Sequence, residues 1–216
     1  MRRNFFKKKY GNVVGMVVIL ILAPVGIKSQ DLLNDHNKKI YLDFGGSFGA
    51  FFPFSKSGGF KNTIGSNSFS SFQLTYKNKY FTRFKFAQTT VNYKANFIFP
   101  DLAANVDTKI NSTNLGIDIG YQRLYGKWQP FIFVGSGIAF IEEPRIDYNP
   151  SLKKINYGTN STSNVYLNAG AGVNYIISKT FIILGEFQLY TVPGISSTSL
   201  TKLNGFSPVI GIKAVL

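Results

Sequence analysis

Six ionisable side chains stand at strand-like alternate positions between apolar neighbours: Asp43, Arg83, Lys85, Asp118, Glu186 and Lys213. Three are acids and three are bases. A lone ion taken out of water costs several kcal/mol, so an interior can hold such groups only in compensating sets. Nucleophilic chemistry has less to work with. The chain carries one histidine, His36, which precedes the first strand-like segment. A general base must reach its nucleophile, so His36 reads as a solvated side chain and a Ser-His hydrolase is not expected. The zero cysteine count removes disulfides, thiolate metal sites, a cysteine nucleophile and a lipid-modifiable cysteine. Glu142, Glu143 and Asp147 offer oxygen donors of the kind a hard cation takes, but Arg145, Lys153 and Lys154 lie among them, and a solvated loop is the better reading. Gly135-Ser-Gly137 and Gly170-Ala-Gly172 lack the strand–turn–helix setting of a phosphate loop. Neither a metal, a cofactor nor an enzymatic activity is therefore expected.

The elements that must position the six charges are strands. In LGIDIGYQRLYGKW, residues 115–128, the apolar Leu115, Ile117, Ile119 and Tyr121 alternate with Gly116, Asp118, Gly120 and Gln122. That period of two marks a half-buried strand. Eight such segments follow one another: 39–52, 69–76, 80–90, 113–125, 128–141, 163–177, 181–192 and 206–216. A helical period is nowhere convincing, and 21 Phe with 12 Tyr suit strands. The connections alternate in length. Residues 77–79, 126–127 and 178–180 are tight turns, whereas 53–68, 91–112, 142–162 and 193–205 read as long loops rich in Gly, Asn, Ser and Pro. An up-and-down meander then gathers the short turns at one end and the long loops at the other, the asymmetry of membrane barrels. The alternation slips around Ala87–Phe97, where a bulge or an early loop start is expected.

The start of the chain is of another kind. Residues 1–29 join a basic stretch (Arg2, Arg3, Lys7, Lys8, Lys9) to an uncharged apolar run from Val13 to Ile27, with Ser29 before Gln30. This is the layout of a secretory signal peptide. Residues 30–38 make a short polar lead-in, and the barrel occupies 39–216. The net charge of +14 falls to +8 without the first thirty residues, which carry six basic and no acidic side chains. The remainder is scattered through turns, and no nucleic-acid partner is expected.

Aromatic placement follows the turns. Tyr76 and Tyr80 flank the first tight turn, Tyr125 and Trp128 the second, and Tyr175 and Phe181 the third. Phe51, Phe52, Phe54, Phe97, Phe99 and Phe140 stand at the opposite ends. Two such belts match the aromatic girdles of a membrane-spanning barrel. The face opposite the large apolar one holds Gly45, Ser47, Ser71, Gln73, Thr75, Gly116, Gly120, Gly135, Gly137, Asn168, Gly170, Gly172 and Asn174. A solvated sheet would favour long Lys and Glu there, whereas the narrow interior of an eight-stranded barrel favours small residues. On that reading the six charges share one layer of the lumen: Arg83 and Lys85 lie near Asp118, and Lys213 lies between Asp43 and Glu186. The alternative is a secreted lipocalin-like barrel whose Ile117 and Ile119 line a cavity for a small apolar ligand.

The leader, the eight strands from Lys39 to Leu216 and the turn pattern resemble the small bacterial outer-membrane β-barrels: the OmpX type, the OmpA membrane domain and the PorT-like "outer membrane protein beta-barrel" families. The resemblance implies an all-β, eight-stranded, antiparallel up-and-down transmembrane barrel in the outer membrane. It further implies outer-membrane lipid and lipopolysaccharide as surroundings, and the barrel-insertion machinery as a partner. A non-enzymatic role follows, with a plugged polar lumen and long extracellular loops for surface interaction or docking to a secretion or assembly complex. The family usually ends in Phe or Trp, where this chain has Leu216.

Overall fold

A computed structural model describes residues 40–54, 60–99, 102–149, 151, 154–192 and 203–216. The signal-peptide reading of 1–29, the lead-in and His36 lie outside the described residues. Eight strands form: β1 Ile40–Pro53, β2 Phe60–Tyr76, β3 Tyr80–Phe99, β4 Leu102–Gln122, β5 Trp128–Asn149, β6 Lys154–Ile176, β7 Phe181–Thr191 and β8 Gly205–Val215. Each pairs antiparallel with its sequence neighbours, and β8 returns to β1, so the sheet closes into an eight-stranded barrel without an edge at its base.

The tight turns fall where the sequence places them, and local chemistry explains two of them. Lys77 and Asn78 both take positive φ, the handedness that fits a hairpin between right-twisted strands. Gly126 takes φ 61°, and Tyr125 and Trp128 exchange backbone hydrogen bonds of 2.7 and 3.0 Å around the Gly126-Lys127 pair.

Three of the four expected long loops are largely strand. β2 begins at Phe60, β3 and β4 pair as far as Phe99↔Leu102, and β5 and β6 as far as Asn149↔Lys154. These hairpins run on after the pairing of β4 with β5 has ended at Asn111↔Glu142 and that of β6 with β7 at Leu167↔Thr191. Water wets both faces of such an extension, so nothing enforces an apolar/polar alternation, and Asn-, Ser- and Thr-rich strand reads as loop. The bulge also sits on the other strand of its pair. β3 keeps its parity through Val91, and the register shift lies between Thr63 and Ser66 of β2, where Ile64 and Gly65 oppose Val91.

The parity is that of an inverted protein. Leu115, Ile117, Ile119 and Tyr121 point outward, as do Ile40, Phe48, Phe84, Ile132 and Ile212, while Asp118 and Gln122 are buried inside. A soluble protein rarely exposes so large a continuous apolar surface. The lipocalin-like alternative fails here, because Ile117 and Ile119 line no space inside the barrel and stand 47% and 58% exposed on the outer wall.

The interior is less uniformly small than the sequence suggests. Phe69, Phe81, Phe131, Phe133 and Leu184 turn inward among the polar residues. Each of three rings lies over a glycine of the paired strand: Phe81 over Gly120, Phe131 over Gly172 and Phe133 over Gly170. A Cβ at any of those glycines would collide with the ring. The small positions are the space that neighbouring aromatics fill. Phe51, expected in the outer aromatic belt, is instead buried within the lumen.

Candidate functional site: the occupied lumen

Arg83 stands near the short-turn end of β3, with its inward parity shared by Phe81 and Lys85 on the same face. It is fully buried, as is Asp118 beside it on β4. Arg83 Nε and Nη2 donate to Asp118 Oδ2 at 2.9 and 2.7 Å. Its Nη1 and Nη2 donate to Glu186 Oε2 and Oε1 at 2.5 and 3.0 Å. β3 and β7 stand four places apart in the ring of eight, so the Arg83–Glu186 fork bridges the lumen from wall to wall. Paired charged hydrogen bonds of this geometry are among the stronger ones proteins make.

The other charges gather around this bridge. Lys85 Nζ lies 3.4 Å from Asp118 Oδ2, and Lys213 Nζ lies 3.6 Å from Asp43 Oδ1. The structure therefore brings Arg83 and Lys85 to Asp118 as the strand order requires. It separates Glu186 from Lys213, since the guanidinium fork reaches Glu186 across the lumen. Neutral amides complete the set: Asn168 and Gln73, which the alternation already puts on this face, and Gln188, which it did not single out. Asn168 donates to Asp118 Oδ1 at 2.9 Å, Gln188 to Glu186 Oε1 at 2.7 Å, and Lys213 to Gln73 Oε1 at 2.9 Å. The Arg83 guanidinium lies 4.5 Å from the Phe133 ring centre and 5.4 Å from that of Phe69, both within cation–π range. Three acids and three bases thus balance within one buried layer.

Further from the short turns the lumen changes character. Asn67, Lys85, Thr89, Asn114, Gln188 and Ser207 surround a space of about 10 Å³, the size of one water site. Phe51, Val91, Ile110, Ile141, Tyr166 and Leu203 then form an apolar cluster across the barrel. Tyr166 stacks on Tyr190, which donates to Asn114 at 2.9 Å. This layer is hard to read from the residue pattern, because inward apolar residues at a strand's end resemble an aromatic belt.

The remaining expected sites are placed as follows. Tyr76, Tyr80, Tyr125, Trp128 and Phe181 stand exposed around the short turns, and Tyr175, half-buried, packs against Trp128 with ring centres 4.7 Å apart. Phe52 and Phe54 lie outward against Phe206, and Phe140 is outward on β5. The side chains of Phe97 and Phe99 lie outside the described set. Glu142 faces out from β5, and Asp147 is taken by Arg145 at 3.0 Å. Among the described residues no three metal-ligating side chains converge.

A closed, inside-polar and outside-apolar eight-stranded barrel is the architecture of a transmembrane β-barrel. Solved structures share it. OprG, an outer membrane protein of Pseudomonas aeruginosa, matches with a TM-score of 0.57 and 14% identity, covering 82% of this chain and 95% of that one. Neisserial surface protein A matches with a TM-score of 0.49 and 11% identity (81% and 96% covered), and the outer membrane enzyme PagL with 0.41 and 12% (79% and 97%). No protein-family model and no curated protein matches the sequence. The chain is an integral membrane β-barrel of the outer-membrane type.

Proposed function

We propose that this chain is exported by its first 29 residues, inserted into the outer membrane by the barrel-insertion machinery, and works there as a non-enzymatic, non-conducting barrel. The observation that carries the reading is the Arg83 fork, which joins Asp118 on the adjacent strand to Glu186 on the opposite one. A solute crossing the lumen would have to break that bridge and then part the apolar cluster beyond it. General diffusion channels have much wider barrels, of about 16 strands. The only histidine, His36, precedes the barrel wall, which supports a role without acyl-transfer or hydrolytic chemistry. What remains for function is the set of hairpins beyond the membrane. An open groove of about 410 Å³ lies between the β3–β4 and β5–β6 hairpins, lined by Asp107, Lys109, Glu143, Arg145 and Tyr157. Its mixed charge suits a polar protein or glycan surface, consistent with surface interaction or docking to a secretion or assembly complex.

Purified barrel in a planar lipid bilayer tests the occluded lumen. The wild-type chain should give no steady single-channel conductance, whereas Arg83→Ala combined with Glu186→Ala should give brief small openings. Stable wild-type channels would overturn the non-conducting reading. Recovery of the chain in a detergent-free supernatant would overturn membrane residence.

A further inference from the structure

The outer wall is not uniform. An open groove of about 700 Å³ crosses β2 to β5, walled by Phe72, Phe84, Phe86, Ile117 and Ile138. Its floor is low because the outward residues there are Ser70 and Ser136, beside Gly116 and Gly137. Further along the same strands, away from the short turns, the outward positions become polar: Ser68 on β2, Gln88 and Thr90 on β3, Thr113 and Asn111 on β4. The flanking strands are apolar beside the near part of this stretch, with Phe48 opposite Ser68 and Phe140 opposite Thr113, and β5 turns polar at Glu142 opposite Asn111. A notch of hydroxyls and amides therefore cuts into the apolar belt directly beyond the groove. The next outward residues are Asn92 and Lys94 on β3, Lys109 and Asp107 on β4 and Glu142 on β5, two bases against two acids.

We infer that this wall holds one acyl lipid in a fixed position, its chain in the groove and its hydroxyl- and phosphate-bearing headgroup on the notch. The inference rests on the membrane reading above. A polar group facing hydrocarbon is costly unless partnered; Thr90 already donates to Asn111 at 3.1 Å, and a headgroup drawn down into the notch partners Ser68, Gln88 and Thr113 as well. The concave shape selects the occupant. A second barrel presents a convex wall that cannot enter a groove floored by Ser70 and Ser136, whereas a flexible chain can. Lys109 on β4, just beyond the notch, is an ammonium of the kind a phosphate takes, with Asp107 and Glu142 beside it.

Native mass spectrometry of the detergent-solubilised full barrel, titrated with phosphatidylglycerol, tests the site. Ser136→Phe and Ser70→Phe fill the floor from the outer face, at positions whose side chains point away from the lumen. Ala171→Phe places the same bulk outward on β6, away from the groove. Wild type and Ala171→Phe should each retain one lipid per barrel, and the two groove variants at least tenfold less. If one groove variant loses the heat-modifiable gel shift of a folded barrel, the other carries the comparison. Equal retention in all four proteins overturns the inference. So does a wild-type dimer that both groove variants convert to monomer with the lipid count unchanged, since the groove would then be a barrel–barrel contact. A barrel that needs detergent yet holds no lipid refutes this site alone, whereas one soluble without detergent refutes the membrane reading itself.

Discussion

Removing the carboxylate of Asp118 is the most direct perturbation of the lumen. Asp118 accepts two hydrogen bonds from Arg83 and one from Asn168, and it stands 3.4 Å from Lys85. Asp118→Ala leaves three buried bases facing two acids, with Lys85 keeping a 3.5 Å contact to Gln188 and the faces of Phe69 and Phe133 but no carboxylate within ion-pair distance. Breaking a buried ion pair from one side costs about 3–5 kcal/mol, because the surviving charge stays out of water. Neutralising the orphan should recover much of the loss, so Asp118→Ala with Lys85→Met should be more stable than Asp118→Ala alone. Asp107→Ala supplies the scale: it breaks the exposed Lys94–Asp107 pair of 2.8 Å and should cost about 0–1 kcal/mol. Urea unfolding from lipid vesicles, followed by the fluorescence of the single tryptophan, reads all of these on one signal. Asp118→Ala within 1 kcal/mol of wild type, or a double variant additive in its two losses, would refute the compensated-cluster argument.

Three further outcomes follow from the same geometry. Gly172→Val drives a side chain into the Phe131 ring and should cost at least about 1–3 kcal/mol, read as a smaller heat-modifiable fraction; adding Phe131→Leu should restore part of it. Because the chain has no cysteine, Ser151→Cys, in the turn between β5 and β6, should react with an impermeant maleimide on intact cells, and Lys127→Cys only after the outer membrane is opened. Trp128, exposed beside the Gly126-Lys127 turn, should be quenched more by lipids brominated near the headgroup than by those brominated at the chain end.

Strand number, turn positions and the direction of inside were all legible, and for one reason. Between two layers of headgroup the environments on either side of the wall differ, so LGIDIGYQ must alternate and Asp118 must turn inward. The strand extensions were not legible because that contrast ends where the bilayer ends. Residues 102–109 and 143–149 keep their hydrogen-bonded ladders through β3 and β6, yet water lies on both faces and no side-chain pattern records the strand.

The lumen shows where sequence reasoning about contacts reaches its limit. Parity and neighbour order bring Arg83 and Lys85 to Asp118, since β3 pairs with β4 and the register sets Arg83 opposite Asp118. Neighbour order cannot foresee Arg83–Glu186, because that pair spans the barrel and depends on its diameter and on the length of the arginine. The same holds for the rings. Gly120, Gly170 and Gly172 read as small residues that relieve crowding, and only the register shows that each faces Phe81, Phe133 or Phe131. Glycine on one strand and a ring on the next are a single packing unit divided between two segments. The two halves place Phe133 within cation–π reach of Arg83, so the glycine at position 170 also shapes the surroundings of the guanidinium.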